Sequence, residues 1–242
     1  MLEVSRIPVC PSCLRAVEPL SAEYFCVSCR TPFQNRFPLD EQGRCALCRS
    51  GLRGFDVAYS FGAYEGTLRQ LIHLYKYGRV RTLARPLGAL LVRALARDEQ
   101  FDLVTAVPLH WRRRWQRGFN QAGLLAREIA RHSGIPFTRV LRRVHSTRAQ
   151  AGLSNTARRR NVVAAFACRR AMRNGRLRGR RVLLIDDVMT TGSTAAACAR
   201  TLKSAGAARV ALLTVARVDR RMDVAHRAGI RSQSVSFEGG AS

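Results

Sequence analysis

Two sets of residues have types and spacings that could do chemistry: an acidic pair followed by a hydroxyl-rich turn, and a series of cysteine pairs. The first lies in Val182-Leu183-Leu184-Ile185-Asp186-Asp187-Val188-Met189-Thr190-Thr191-Gly192-Ser193-Thr194. Val182–Ile185 reads as a short, fully apolar strand, the kind buried on both faces in a parallel sheet. It would deliver the carboxylates of Asp186 and Asp187 to its C-terminal end, where open α/β sheets bind ligands. Thr190, Thr191, Ser193 and Thr194 supply hydroxyls, and Gly192 lets the backbone approach a bound group. A helix beginning at Ser193 adds its N-terminal N–H groups, so the turn suits a phosphate. Adjacent carboxylates suit the two hydroxyls of a ribose. A phospho-acceptor aspartate also sits at a strand end, but it does not require the Thr-Thr-Gly-Ser-Thr turn.

The second set is Cys10/Cys13, Cys26/Cys29 and Cys45/Cys48, three C-x-x-C pairs separated by twelve and fifteen residues. Paired C-x-x-C turns at such spacing commonly wrap a tetrahedral Zn²⁺ with thiolates. A redox C-x-x-C would be expected once, at a helix start within a βαβ unit. Six thiols exceed one four-thiolate site and fall short of two. Cys10, Cys13, Cys26 and Cys29 have compact ribbon spacing, yet Cys26/Cys29 could equally join Cys45/Cys48. Cys168 and Cys198 stand apart from the pairs, and Cys198, in an alanine-rich stretch, reads as a small buried apolar residue.

The elements that must position these groups can be read from periodicity. Residues 1–51 are rich in Cys and Pro, with little periodicity, and read as a small zinc-ribbon module. Over 55–218, strand-like and helix-like segments alternate, which predicts an α/β domain with a parallel sheet. Asp56–Ala63, Phe101–Val107 and Val210–Ala216 read as strands. Thr67–Tyr77 is amphipathic, with Leu68, Leu71, Ile72 and Tyr75 on one face. Arg81–Arg97, Asn120–His132 and Ser193–Ala205 also read as helical. Residues 219–242 are polar and read as a flexible tail.

The 242 residues are 47% hydrophobic, enough for an ordinary core. No apolar run approaches the ~18–20 residues of a membrane span, and the N-terminus has no signal-like apolar segment, which together predict a cytoplasmic protein. In such a compartment structural disulfides are not expected. Net charge is +26, which suggests a polyanionic partner or substrate. Lysine occurs only at Lys76 and Lys203, a choice that a GC-rich genome explains. The same bias does not explain why Ile129–Ile185 holds fifteen Arg and no Asp or Glu. That stretch is expected to meet phosphate.

Val182–Thr194 resembles the 5-phosphoribosyl-1-pyrophosphate (PRPP) motif of type I phosphoribosyltransferases. Val107–Arg114, followed by Arg117-Gly118-Phe119-Asn120-Gln121, is similar to the pyrophosphate loop and following helix of the ComF (competence protein F) family. Gln150-Ala151-Gly152-Leu153-Ser154 and Arg158-Arg159-Arg160-Asn161-Val162 are similar to that family's mobile loop. Phe61-Gly62-x-Tyr64, Leu74-Tyr75-Lys76-Tyr77 and the N-terminal C-x-x-C pairs also match its pattern. The resemblance implies a type I phosphoribosyltransferase fold behind a zinc ribbon, with Mg²⁺-dependent transfer of phosphoribose from PRPP and release of pyrophosphate. It implies that Asp186 and Asp187 contact the ribose hydroxyls or Mg²⁺-bound water, and that Thr190, Thr191, Gly192, Ser193 and Thr194 bind the 5-phosphate. Leu109, His110 and Trp111 would belong to the pyrophosphate loop, and Gln150, Arg158, Arg159 and Arg160 to a closing lid. Lys76 is a weaker candidate for a phosphate contact. The resemblance also implies a link to natural competence. A rival function is an accessory protein for single-stranded DNA, using the fold as a PRPP sensor or phosphate scaffold, with DNA or a DNA-processing protein as partner.

Overall fold

In the computed structural model, residues 9–51, 54–96, 98–109, 118–144, 165–172 and 175–218 are described. The cysteine-rich segment folds into short pieces: helix α1 (Pro11–Arg15), strands β1 (Tyr24–Phe25) and β2 (Pro32–Phe33), paired antiparallel, and helix α2 (Ala46–Arg49). Strand and helix then alternate through β3 (Val57–Ala63), α3 (Gly66–Tyr77), α4 (Ala84–Ala94), β4 (Leu103–Ala106) and α5 (Gln121–Ser133). A small antiparallel hairpin, β5 (Leu141–Arg143) with β6 (Phe166–Cys168), precedes β7 (Arg181–Met189), α6 (Ser193–Ser204) and β8 (Arg209–Arg217).

The central sheet has the order β3-β8-β7-β4, and each pairing is parallel. A parallel bridge from Val104 to Phe137 continues its β4 edge. Alternate side chains of β7 and β8 serve opposite faces, as the two-residue period of a strand requires. Val182, Leu184, Val210 and Leu212 pack with α6, the β5–β6 hairpin and the cysteine module. Leu183, Ile185, Ala211 and Leu213 pack with α3, α4 and α5. This two-sided burial accounts for the continuous apolar runs of these strands. The α3 face is the one expected, with Leu68, Leu71, Ile72 and Tyr75 buried. Helix α5 stops at Gly134, whose φ of 71° is the left-handed turn that glycine adopts without strain.

One difference from expectation bears on the site. Strand β7 does not end at Ile185 but runs through both aspartates to Met189, because Asp186, Val188 and Met189 stay in register with Thr214, Ala216 and Arg217 of β8. The polar residues look like a strand end in sequence, but the longer neighbour holds them extended.

The cysteine module docks on the sheet through backbone and side chain. Leu20 N–H donates to the Phe61 carbonyl (2.6 Å) and Ala58 N–H to that of Ser28 (2.9 Å). Arg217, at the end of β8 and only 2% exposed, donates to the Cys29 carbonyl (2.6 Å) and to the Thr31 hydroxyl. Among the described residues, no helix is long and apolar enough to cross a membrane.

Candidate functional site

At the C-terminal end of β7 a recess is lined by Asp186, the turn Thr190–Thr194, and Leu212 and Thr214 of β8. Gly192 caps α6 with φ 75° and ψ 3°, a left-handed conformation that costs other residues about 1–2 kcal/mol. Its carbonyl accepts from Ala196 N–H (2.8 Å), which locks the turn to the helix. Thr191 Oγ1 accepts from Ser193 N–H (3.3 Å) and lies 2.9 Å from Ser193 Oγ. Exposed hydroxyls and the α6 N-terminus therefore face one small space, the arrangement a phosphate group requires. Gly192→Ala should destabilise the chain by about 1 kcal/mol. It should also loosen this turn, seen as weaker phosphate-ester binding in a titration beside a denaturant melt.

The two carboxylates do not act as one group. Neighbouring strand residues face opposite sides, and only Asp186 lines the recess. Its Oδ1 accepts from Asp187 N–H (2.9 Å), which fixes the carboxylate's orientation. Asp187 turns toward α3 and meets Lys76 Nζ at 3.0 Å, both side chains being mostly buried. Lys76 Nζ also lies 5.9 Å from the centre of the Tyr64 ring. Thus the Phe61–Tyr64 and Leu74–Tyr77 segments, separate in sequence, converge beside Asp187. Beneath them the Tyr75 hydroxyl donates to the Gln121 carbonyl (2.9 Å), and burial, with the nearby Asp187 and Glu128 charges, pushes its pKa well up.

Leu109 ends the described part of the segment after β4, while His110 and Trp111 lie outside the described residues, as do Gln150, Arg158, Arg159 and Arg160. Both anchors of the 110–117 segment are visible. Asn120 Nδ2 donates to the Val107 carbonyl (3.2 Å), tying the start of α5 to the end of β4. Arg81 donates to the Gly118 carbonyl (3.0 Å) and lies over the Phe119 ring.

The cysteines sort themselves unambiguously. The Sγ atoms of Cys26, Cys29, Cys45 and Cys48 all lie within 4.8 Å of one another. Cys29 and Cys45 are 3.7 Å apart, close to the ~3.8 Å edge of a tetrahedron with Zn–S bonds of about 2.3 Å. Crowding divides the protons unevenly. Hydrogen bonds from Cys26, Cys45 and Cys48 hold the Cys29 thiol far below its usual range, and contacts with Cys26 and Cys29 push Cys48 far above it. A thiolate-seeking ion removes that conflict, so this donor set fits zinc. Cys10 and Cys13 are not brought into the tetrad: Cys10 caps α1 and Cys13 lies in its first turn, both exposed, with their Sγ atoms 3.0 Å apart. Of the two groupings the spacing allowed, the structure assembles the one with Cys45/Cys48. Cys198 is fully buried in α6, as its alanine-rich surroundings suggested.

Sequence comparison agrees with this arrangement. Residues 116–233 match the phosphoribosyl transferase domain family. Over 224 residues the chain is 32% identical to competence protein F of Haemophilus influenzae, covering 89% of this chain and 93% of that protein. It is 31% identical to the DNA utilization protein YhgH of Salmonella typhimurium over 217 residues, covering 86% of this chain and 90% of that one. Among solved structures it is similar to an adenine phosphoribosyltransferase from Thermoanaerobacter pseudethanolicus, with 18% identity and a TM-score of 0.39, covering 64% of this chain and 78% of that chain. With a parallel sheet, a hydroxyl-rich turn at the end of β7, a four-cysteine cluster and relatives matched over nearly their whole length, the chain belongs to the ComF/YhgH family and carries a phosphoribosyltransferase domain.

Proposed function

We propose that this protein binds PRPP at the end of β7 and transfers its phosphoribosyl group to an acceptor, releasing pyrophosphate. The observation that carries the reading is the recess in which Asp186 faces the Thr190–Thr194 turn and the α6 N-terminus. In it the turn would hold the 5-phosphate through its hydroxyls and backbone N–H groups, and Asp186 would accept from a ribose hydroxyl. Asp186 is also the group suited to hold Mg²⁺ through its bound water, and that ion would neutralise charge developing on the pyrophosphate as the anomeric C–O bond breaks. The chain's own part is preorganisation: donors fixed before the reaction cost no reorganisation when charge develops. Leu109, His110 and Trp111 are proposed to cradle pyrophosphate, and Gln150 with Arg158, Arg159 and Arg160 to close over the site. The test is a screen of bases and amines for pyrophosphate release from PRPP with Mg²⁺. Release that depends on an acceptor and on Asp186 supports the reading, and PRPP binding without release for any acceptor leaves the fold serving as a PRPP sensor.

Lys76 enters this reading as a positioning residue. Its ammonium offsets the Asp187 charge, which would otherwise repel an anionic substrate nearby. Lys76→Met should lower PRPP affinity by roughly tenfold, and Lys76→Arg should recover part of the loss. Equal affinities in all three proteins would make the ion pair purely structural.

A second reading has its own support. Two relatives are named for competence and DNA utilization, and Ile129–Ile185 contains fifteen Arg without a carboxylate. On that reading the protein handles single-stranded DNA, alone or with a DNA-processing protein. Such binding should weaken with a slope of about −0.7 per neutralised phosphate in a log–log salt titration.

A further inference from the structure

The crevice between α5 and the β5–β6 hairpin, at the β4 edge of the sheet, borders the segment that the resemblance assigns to pyrophosphate, through Pro108, Leu109, Gly118, Phe119 and Asn120, but lies apart from the recess at the end of β7. It measures about 360 Å³ and shares no lining residue with the recess at the end of β7. Its rim carries Arg127 from α5, Arg139 from the chain entering the hairpin, Arg142 and Arg143 from β5, and Arg169 from the chain leaving β6. Among the described residues, no carboxylate lines it. Among the described residues, none of the ion pairs involves Arg127, Arg139, Arg142 or Arg169. A sphere of that volume is roughly 9 Å across, about one Debye length at physiological salt, so the guanidinium groups feel one another. Holding Arg127, Arg139, Arg142 and Arg169 around one cavity is unfavourable until an anion enters.

The floor is of a different character. Leu124 and Phe137, both half-buried, present apolar and aromatic surface over the buried Phe119 and Leu141. Arg127 lies over the Phe137 ring at 5.2 Å, so this guanidinium is held at the mouth by stacking rather than by an acid. A ligand that satisfies both parts has a flat, weakly polar body and an anionic group at one end. A second copy of this chain presenting the same patch does not, since a two-fold contact would set arginine against arginine. Inorganic phosphate satisfies the rim and leaves the floor wet.

We propose that this crevice is a nucleotide site, distinct from the phosphoribosyl recess, that seats a base on the Leu124/Phe137 floor and its phosphate on the arginine rim. The volume suits a single nucleotide, at the small end of ordinary ligand pockets. That nucleotide is either free or one unit of a single strand whose neighbouring phosphates follow the other arginines; base–aromatic stacking serves both. This gives a location to the second reading above and does not depend on PRPP binding.

The experiment titrates the full-length, zinc-loaded chain with a deoxynucleoside monophosphate, with a hexathymidylate and with inorganic phosphate, each with and without saturating PRPP and Mg²⁺. Two variants accompany the wild type: Arg127→Gln/Arg139→Gln/Arg142→Gln, which strips the rim, and Leu124→Trp, which fills the crevice without altering charge. The expected result is nucleotide or strand binding that persists in PRPP and falls at least about tenfold in both variants, with a salt slope for the strand shallower by about 2 in the arginine variant. Binding of the strand but not the mononucleotide identifies the polymer as the source, and the reverse identifies a free nucleotide. Binding unaffected by Leu124→Trp, displaced by PRPP, or matched by inorganic phosphate overturns the proposal, as does no binding at all. PRPP affinity measured on the same variants keeps this outcome separate from that of the phosphoribosyl reading.

Discussion

Asparagine at both Asp186 and Asp187 is expected to weaken PRPP binding at least about a hundredfold in the presence of Mg²⁺, while the protein stays folded. Each carboxylate contributes for a different reason. Asp186 faces the recess directly, and losing a charged acceptor there forfeits about 1.5–3 kcal/mol per hydrogen bond. The Asp187 carboxylate holds Lys76 in place beside the strand. Folding is spared because asparagine keeps an oxygen to accept the Asp187 N–H, and because the strand is held by its register with β8 rather than by its acids. The single variants separate the roles: Asp186→Asn should cause most of the loss, whereas Asp187→Asn, which removes the very charge that Lys76 offsets, should weaken binding less than Lys76→Met. The check is calorimetric titration of each variant beside its thermal melt. A double variant that binds as tightly as the wild type would reduce the motif to a structural strand end.

The second large effect concerns the cysteine tetrad. Cys45→Ser should release bound zinc and cost at least about 4 kcal/mol of stability, a fall of roughly 8–16 °C in melting temperature. The loss should reach beyond the module. Cys26, Cys29 and Cys45 belong to the same core as Phe55, Ala58 and the α6 alanines, and buried Arg217 depends on the Cys29 carbonyl and Thr31. When that turn loosens, a buried guanidinium at the end of β8 loses partners, a costly event. Cys10→Ser is the control: an exposed thiol outside the tetrad should leave zinc content and melting unchanged. Equal zinc loss from both variants would contradict the four-cysteine assignment and mean that the exposed pair shares the ion.

What could be read from the sequence was local. The face of α3, the buried strand before Asp186, the turn at Gly192 and the cap at Gly134 each depend on a few neighbouring residues whose types leave little choice. The pairing of C-x-x-C turns could not be read in the same way, because spacings of twelve and fifteen residues both close a zinc loop without strain. The choice was made by contacts far away in the chain, such as Ser28 on Ala58 and Cys29 on Arg217. Lys76 was legible only as a weak candidate for the same reason. Its value lies in meeting Asp187, on another element, and no periodicity in α3 announces that. Nor does sequence alternation show that Asp186 and Asp187 serve opposite faces until the strand is known to continue through them. The arginine crevice lay half-hidden: a stretch free of acids was visible, but its union with Arg127 and an aromatic floor needed the fold.

The recess at the end of β7 is expected to hold a ribose bearing a 5-phosphate. The most direct test of this is equilibrium titration of the full-length, zinc-loaded chain with PRPP and Mg²⁺, with ribose 5-phosphate and inorganic phosphate as competitors. The expected result is saturable binding of one PRPP per chain, displaced by ribose 5-phosphate far better than by inorganic phosphate. Absence of binding, or binding displaced equally well by inorganic phosphate, would contradict it.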